Sequence, residues 1–256
     1  MRVDEIPMPA RVAARPRDVR GYPVPAITPW HDGVPQFALT GMARTYICAV
    51  ERRCSICAQV MAPGPVWRVV SGTESDAIAA AQAAGHRYLN RAPTAEAPGH
   101  RSCMLYAAVT CPYLARPTAR RSQSANVLGL EAGRGDRRGL GGAVAAFDEL
   151  EFALADVVMF RFAGLSAFYP HELGTDQWVA LAAELAEADP PAESGPGYLL
   201  ADERAAELRF AQIRPPVSTT ATTTATTTAP NTAPTTGPAT AAAPVQTTTP
   251  APAPAP

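Results

Sequence analysis

Four side chains able to bind a transition metal stand in two close pairs along this sequence. Cys54 and Cys57 form a Cys-x2-Cys pair, and His100 and Cys103 form a His-x2-Cys pair after a gap of 42 residues. Two residues between cysteines let both sulfurs reach one ion at about 2.3 Å. Positions i and i+3 of a helix lie on one face, so the His100 imidazole and the Cys103 thiolate can bind that same ion. The spacing predicts a Cys3His metal site.

The donor set favours zinc in a structural role. Three thiolates and an imidazole suit a soft to borderline ion rather than Mg²⁺ or Ca²⁺. Four protein ligands complete a tetrahedral shell and leave no position for an activated water. We therefore expect a structural Zn²⁺ ion and predict neither a catalytic residue nor a second cofactor site.

Two other interpretations of the first cysteine pair stay open. Cys54 and Cys57 could be buried thiols without a metal, or they could form a redox couple. A Pro/Gly turn follows the pair, whereas a thioredoxin-like couple stands near a buried strand and a helix. Among the remaining candidates, Cys111 is expected to pack as a core residue, Cys48 is at most a spare ligand, and His86 lacks a cysteine at matching spacing.

Short elements must bring the two pairs together. His31-Asp32-Gly33 predicts a hairpin turn between strands near 25–27 and 36–39. The further elements predicted in this half are strands over 46–50 and 65–70, a helix from about 73 to 84, and a helix that begins near residue 100.

These elements predict an α+β fold with a zinc-clasped hairpin and helix unit over residues 20–122. A flexible arm (1–19) precedes it, and a Gly-rich linker (123–142) follows. Residues 143–214 are predicted to be an acidic, mostly helical segment, with helices over 176–188 and 202–213. Residues 215–256 contain only Thr, Ala, Pro and other uncharged residues, which predicts a disordered tail because so little apolar surface can be buried.

The sequence also bears on localisation. Its first twenty residues carry charges of both signs without the apolar region of a signal peptide, and no apolar run approaches the roughly 20 residues of a membrane span. We therefore expect a cytoplasmic protein with no membrane partner, in which the cysteines stay reduced.

Charge is distributed unevenly, and this suggests partners. All 22 basic residues are arginine; residues 1–138 hold 18 of them against 10 acids, and residues 139–214 hold 4 against 13. The two halves could dock on each other, or the basic half could bind nucleic acid. The arginines that would serve such a surface are Arg52, Arg53, Arg101, Arg116, Arg120 and Arg121.

Several motifs together resemble an uncharacterised family encoded by actinobacteria and their phages. The matching features are the GYPVP start at 21–25, the Cys-x2-Cys pair, Pro-x-His-x2-Cys at 98–103 and Cys-Pro-Tyr-Leu at 111–114, followed by arginines. The resemblance covers about residues 20–122 and supports a zinc-holding role without implying an activity. Family members carry a glycine where this chain has Ala58, which disfavours the turn if that residue needs a positive φ.

These observations predict a zinc-stabilised binding or interaction module that is not an enzyme. Two kinds of partner are compatible with the sequence, a nucleic acid and another protein. A second alternative is a nuclease on a treble-clef-like scaffold, but that chemistry needs a His-rich metal site, and the predicted helix offers only His100.

Overall fold

A computed structural model describes residues 6–89, 92–111, 125–127, 130–132, 141–170, 176–188 and 194–214. Helices and antiparallel strands alternate in these ranges, which confirms the α+β class. The helices are α1 (Ala10–Ala13), α2 (Met42–Val50), α3 (Gly72–Ala83), α4 (Arg101–Thr110), α5 (Asp176–Glu187) and α6 (Glu203–Ile213), with a 3-10 turn at Gly197–Leu199. The strands are β1 (Trp30–His31), β2 (Val34–Pro35), β3 (Val66–Ser71), β4 (Ala125–Val127), β5 (Leu130–Ala132), β6 (Gly141–Leu154) and β7 (Val158–Pro170).

A three-stranded antiparallel sheet with the order β3-β6-β7 lies at the centre of the fold. Side chains alternate across its faces, as the period of a strand requires. Val66 and Val70 of β3 pack with Ile78 of α3 in one core cluster. Val69 of β3 and Val144 of β6 belong to a second cluster with residues of α4 and α5. Helices therefore contribute to the core on both faces of the sheet.

The strands β6 and β7 differ from the mostly helical segment predicted for residues 143–214. They form one long hairpin with only three residues between them, and β6 also pairs with β3. Glu, Leu and Ala in FDELEFAL favour a helix locally, but pairing along both edges of β6 outweighs that preference. Residues from the predicted 20–122 unit and from the acidic segment therefore build the same sheet.

Two further expectations in the N-terminal half differ from the structure. The described part of the predicted flexible arm, residues 6–19, includes Ile6 and Val12, which are buried in the core. Residues 42–50 form α2 where a strand over 46–50 was predicted. A continuous apolar run such as YICAV fits either a fully buried helix or a buried strand, and all residues from Ala43 to Ala49 are buried here.

Other predicted elements are present. The hairpin turn is confirmed by Asp32 and Gly33, which both have positive φ (48° and 74°), although β1 and β2 are only two residues long. Helix α3 begins after Ser71, whose hydroxyl accepts from the Glu74 amide at 3.2 Å, two residues before the predicted start near residue 73. Asp202 caps α6 through the Ala205 amide. The predicted tail and most of the predicted linker lie outside the described residues.

None of the helices in the described ranges combines the length and the apolar character that a bilayer crossing requires.

A polar cluster around Glu51 joins the end of α2 to the C-terminal residues. Its carboxylate accepts from Tyr198 Oη (2.6 Å), Arg53 Nε (2.6 Å) and Arg209 Nε (2.8 Å). Burial alone would raise the pKa of Glu51, but hydrogen bonds from Tyr198, Arg53 and Arg209 outweigh burial and lower that pKa below its usual value.

We expect Glu51→Gln to make the free energy of unfolding less sensitive to acid. A carboxylate whose pKa is lowered by folding stabilises the native state above its unfolded pKa, near 4.5. This contribution disappears as the pH falls through the lower, folded pKa. Urea unfolding from pH 6 to pH 3 should show a smaller loss of free energy in Glu51→Gln than in wild type. Parallel profiles would show that Glu51 does not contribute to acid sensitivity.

Candidate metal centre

The structure brings the four predicted ligands together. The Sγ atoms of Cys54, Cys57 and Cys103 and a ring nitrogen of His100 all lie within 4.8 Å of one another. Donors about 2.3 Å from a tetrahedral zinc ion would be separated by roughly 3.8 Å, so a small contraction would complete the shell. The three cysteines are buried and all five cysteines of the chain are free thiols. The arrangement can accept one metal ion.

A tight turn presents the first two sulfurs. Cys54 N donates to Gln59 O (2.9 Å), and Ala58 N donates to Cys54 O (2.9 Å). These bonds form a turn between Arg53 and Val60, which pair with each other in an antiparallel bridge. The turn, residues 53–60, is called the knuckle below. Ala58 has a φ of 66°, so the alanine does occupy a position that favours glycine. For an L-residue this conformation costs about 1–2 kcal/mol.

The segment that delivers His100 is held between the knuckle and the central sheet. Ser55 N donates to Pro98 O (3.0 Å) on the knuckle side. Gly99 exchanges two backbone hydrogen bonds with Trp67 of β3, at 2.8 and 3.1 Å. His100 is then the N-cap residue of α4, and Cys103 lies in the first turn of that helix. The predicted i, i+3 pair on a helix start is therefore present.

Backbone amides donate to one of the sulfurs, and a carbonyl orients the imidazole. Cys54 Sγ accepts from the amides of Ile56 and His100, both at 3.4 Å. His100 Nε2 lies 3.2 Å from Val60 O, an acceptor, so Nε2 carries the proton. Nδ1 is thereby left as the donor atom for a metal and lies 3.3 Å from Cys57 Sγ. An outer hydrogen bond of this kind commonly fixes the tautomer of a metal-binding histidine.

Electrostatics in the cluster favour a cation. Burial would raise the pKa of the Cys54 thiol, but hydrogen bonds from Cys103, Cys57 and His100 hold that pKa well below its usual value. Burial and the neighbouring Cys54 sulfur raise the pKa of Cys103. Three thiolates at this separation repel one another, so they require a positive charge among them. A divalent metal ion supplies that charge.

The spare candidates lie outside the four-residue cluster. Cys48 is buried in α2, and desolvation raises its pKa to about 12, as expected for an inert core thiol. Cys111 is half-buried at the end of α4, and His86 is exposed after α3. Sequence reasoning missed the carbonyl of Val60, because a backbone acceptor leaves no residue-type signature. It also missed the close approach of Gly99, for which the glycine itself was the available signal.

We expect Gly99→Ala to weaken metal binding without removing a ligand. A Cβ at this position would lie 2.8 Å from Cys54 Sγ and 2.4 Å from Met104 Cε. The methionine can move, but a displaced sulfur would distort the ligand cluster. Competition with a chelator should report an affinity loss of about tenfold or more, corresponding to about 1.4 kcal/mol. Gly197→Ala is the matched control, since no heavy atom lies within 4 Å of its Cβ. Equal affinities in the two variants would contradict the steric account.

Three arginines proposed for nucleic-acid contact make intramolecular contacts. Arg53 pairs with Glu51 at 2.6 Å, and Arg52 donates to Gly64 O at 2.8 Å. Arg101 donates to Tyr169 Oη at 2.8 Å and lies 5.3 Å from the centre of the Trp67 ring. The other three, at positions 116, 120 and 121, lie outside the described residues. Both ring nitrogens of His100 face protein groups, Nδ1 the sulfur of Cys57 and Nε2 the carbonyl of Val60.

The centre therefore consists of two donors from a knuckle and two from a helix start, held by backbone hydrogen bonds around a buried point. The chain matches no protein-family model, and comparison with curated proteins and with solved structures finds no similar protein.

Proposed function

We propose that Cys54, Cys57, His100 and Cys103 hold one structural zinc ion, and that the protein is a non-enzymatic interaction module built around it. The observation that carries this proposal is the convergence of three sulfurs and one imidazole within 4.8 Å. Thiolate-rich tetrahedral sets select zinc over hard cations, and four protein donors exclude the open coordination position of a hydrolytic site.

A structural ion would also add stability to a fold whose core contains many small side chains. Many of the buried side chains are alanines, including Ala143, Ala145 and Ala146 at the centre of the sheet. Small side chains bury little apolar area each, so the hydrophobic contribution per residue is modest. Structural zinc contributes about 10–16 kcal/mol of apparent binding free energy in small zinc-finger peptides at neutral pH. A zinc ion here would join the knuckle to α4 and β3.

Cobalt substitution tests the metal part of this proposal. Tetrahedral Co²⁺ bound to three thiolates should give intense visible d–d bands and a sulfur-to-metal charge-transfer band in the near ultraviolet. Titration should saturate at one equivalent, and Zn²⁺ should displace the signal. Weak, octahedral-type absorption that does not saturate at one equivalent would reject the site.

Exposed apolar side chains in residues 19–42 support the interaction part. Of the large apolar side chains that the described residues expose, Val19, Tyr22, Val34, Phe37, Leu39 and Met42 fall within one short stretch. The guanidinium of Arg20 lies 5.1 Å from the Tyr22 ring centre and 5.6 Å from that of Phe37, so two separate loops meet there. Exposed aromatic residues around an arginine are typical of contacts with other proteins. We therefore favour a protein partner.

Peptide display can test this surface. A random peptide library selected on the zinc-loaded full-length protein should yield sequences that bind wild type but not Tyr22→Ser/Phe37→Ser. Leu89→Ser is the matched control, because Leu89 is 65% exposed and lies outside the 19–42 stretch. Peptides that bind all three proteins equally, or failure to enrich any, would argue against an interaction role for these loops.

A further inference from the structure

The C-terminal residues pack directly against the back of the knuckle. Gly195 approaches so closely that a Cβ there would lie 2.5 Å from the Ala58 Cβ and 3.4 Å from Cys57 O. Ala58 is fully buried, and it is the residue with the strained positive φ. The turn that carries Cys54 and Cys57 is therefore supported from behind by a segment about 140 residues farther along the chain.

Two buried arginines tie this C-terminal segment to residues 24–26. Arg15, which is 3% exposed, donates from Nε to Val24 O (3.0 Å) and from Nη2 to Leu199 O (2.7 Å). Arg44, which is fully buried, donates from Nη1 to Ala26 O (3.3 Å) and also to Leu199 O (3.3 Å). Each guanidinium thus joins the same two stretches of backbone.

Residues 26 and 27 in turn pair with the knuckle. Ala26 N donates to Ile56 O at 2.9 Å, and Ile27 N donates to Ser55 O at 3.2 Å. A continuous set of hydrogen bonds therefore runs from the C-terminal segment, through the two arginines and residues 24–27, to the turn between Cys54 and Cys57. Removing either end leaves buried cations or buried backbone groups without partners, which is costly.

Charge favours the same coupling. A zinc ion with three thiolates and one neutral imidazole has a net charge of −1, and a buried cation nearby stabilises it. Burial and the neighbouring Arg44 lower the pKa of Arg15 to about 10, whereas the sulfurs of Cys48, Cys57 and Cys54 act in the opposite direction. The attraction between the Arg15 guanidinium and these sulfurs has the sign that the coupling requires.

We propose that metal binding at the Cys3His centre and docking of residues 194–214 stabilise each other, with Arg15 and Arg44 as the positioning residues that connect them. The inference rests on the proposed metal site and adds to it a link between two segments far apart in sequence. Because coupling between two equilibria is reciprocal, loosening the C-terminal segment must weaken metal binding by the same factor that metal removal loosens the segment.

Hydrogen–deuterium exchange on the full chain tests one direction. Zinc-loaded protein and protein treated with a strong chelator are compared over α6, residues 203–213, and over α3, residues 72–83, which packs on β3 and β6. We expect amide protection in α6 to fall by about tenfold or more on metal removal. Unchanged protection of α6 in protein that demonstrably binds zinc would overturn the inference and leave the proposed metal site intact.

Two glycine substitutions test the reverse direction. Gly195→Ala should place a methyl group against Ala58 and displace the segment, whereas Gly197→Ala meets no heavy atom within 4 Å. We expect chelator competition to give Gly195→Ala a zinc affinity about tenfold lower than wild type and Gly197→Ala an affinity within about twofold. If Gly195→Ala speeds exchange in α6 but binds zinc as tightly as wild type, the two events are independent. Absence of zinc binding by wild type would instead reject the metal site itself.

Discussion

Cys103→Ser is expected to abolish stoichiometric metal binding and to destabilise the fold. The serine hydroxyl is a poor zinc ligand, and the remaining three donors leave the ion open to water and to competing chelators. The lost metal contribution should lower the unfolding free energy by at least about 4 kcal/mol. For a chain of this size the melting temperature should fall by roughly 10 °C or more. Metal analysis and thermal unfolding of the same samples measure both effects.

Cys111→Ser provides the control for this substitution. Cys111 lies eight residues farther along, is half-buried, and does not belong to the cluster of potential ligands. It should retain one equivalent of metal and a melting temperature near that of wild type. If the two serine variants behave alike, the sulfur at position 103 has no special role.

Arg44→Met is expected to produce the second large effect. Its guanidinium is fully buried, pairs with Glu203 at 2.7 Å, and also donates to the carbonyls of residues 26, 199, 200 and 202. Removing one partner of a buried ion pair costs about 3–5 kcal/mol, because the other groups lose their compensation. Urea unfolding of the zinc-loaded protein should report a loss in this range.

Arg204→Met separates this effect from the loss of any arginine. Arg204 is exposed on α6, next to the residue that Arg44 binds. Its replacement should change the unfolding free energy by less than about 0.5 kcal/mol, as is usual for a surface substitution. A comparably small change in Arg44→Met would show that the buried network is not a source of stability.

The metal centre could be predicted from sequence because its information is local. Each pair of ligands has a spacing of three, and one pair coincides with a helix start marked by Pro98 and Gly99. Residue type alone selects sulfur and imidazole as donors. The 42 residues between the two pairs do not indicate that the pairs meet in space. They meet because residues 97–99 form hydrogen bonds with Ser55 and Trp67.

The long hairpin of β6 and β7 was harder to predict from sequence, because the information that specifies it is not local. A register irregularity between Ala146 and Phe147 breaks the alternation of β6, and its Glu and Leu residues imitate a helical pattern. The pairing that makes it a strand comes from β3, about 75 residues earlier in the chain. Likewise, nothing near Arg44 indicates that its partner is Glu203, which is 159 residues away. Long-range pairs of this kind leave no local signature.

Native mass spectrometry combined with metal analysis tests the central claim most directly. The full-length protein should carry one zinc ion per chain in a compact charge-state distribution. A strong chelator should remove that ion and shift the distribution towards the higher charge states of a loosened chain. A protein that contains no tightly bound metal when purified without chelators and supplied with zinc, and that keeps its compact distribution throughout, would contradict the account.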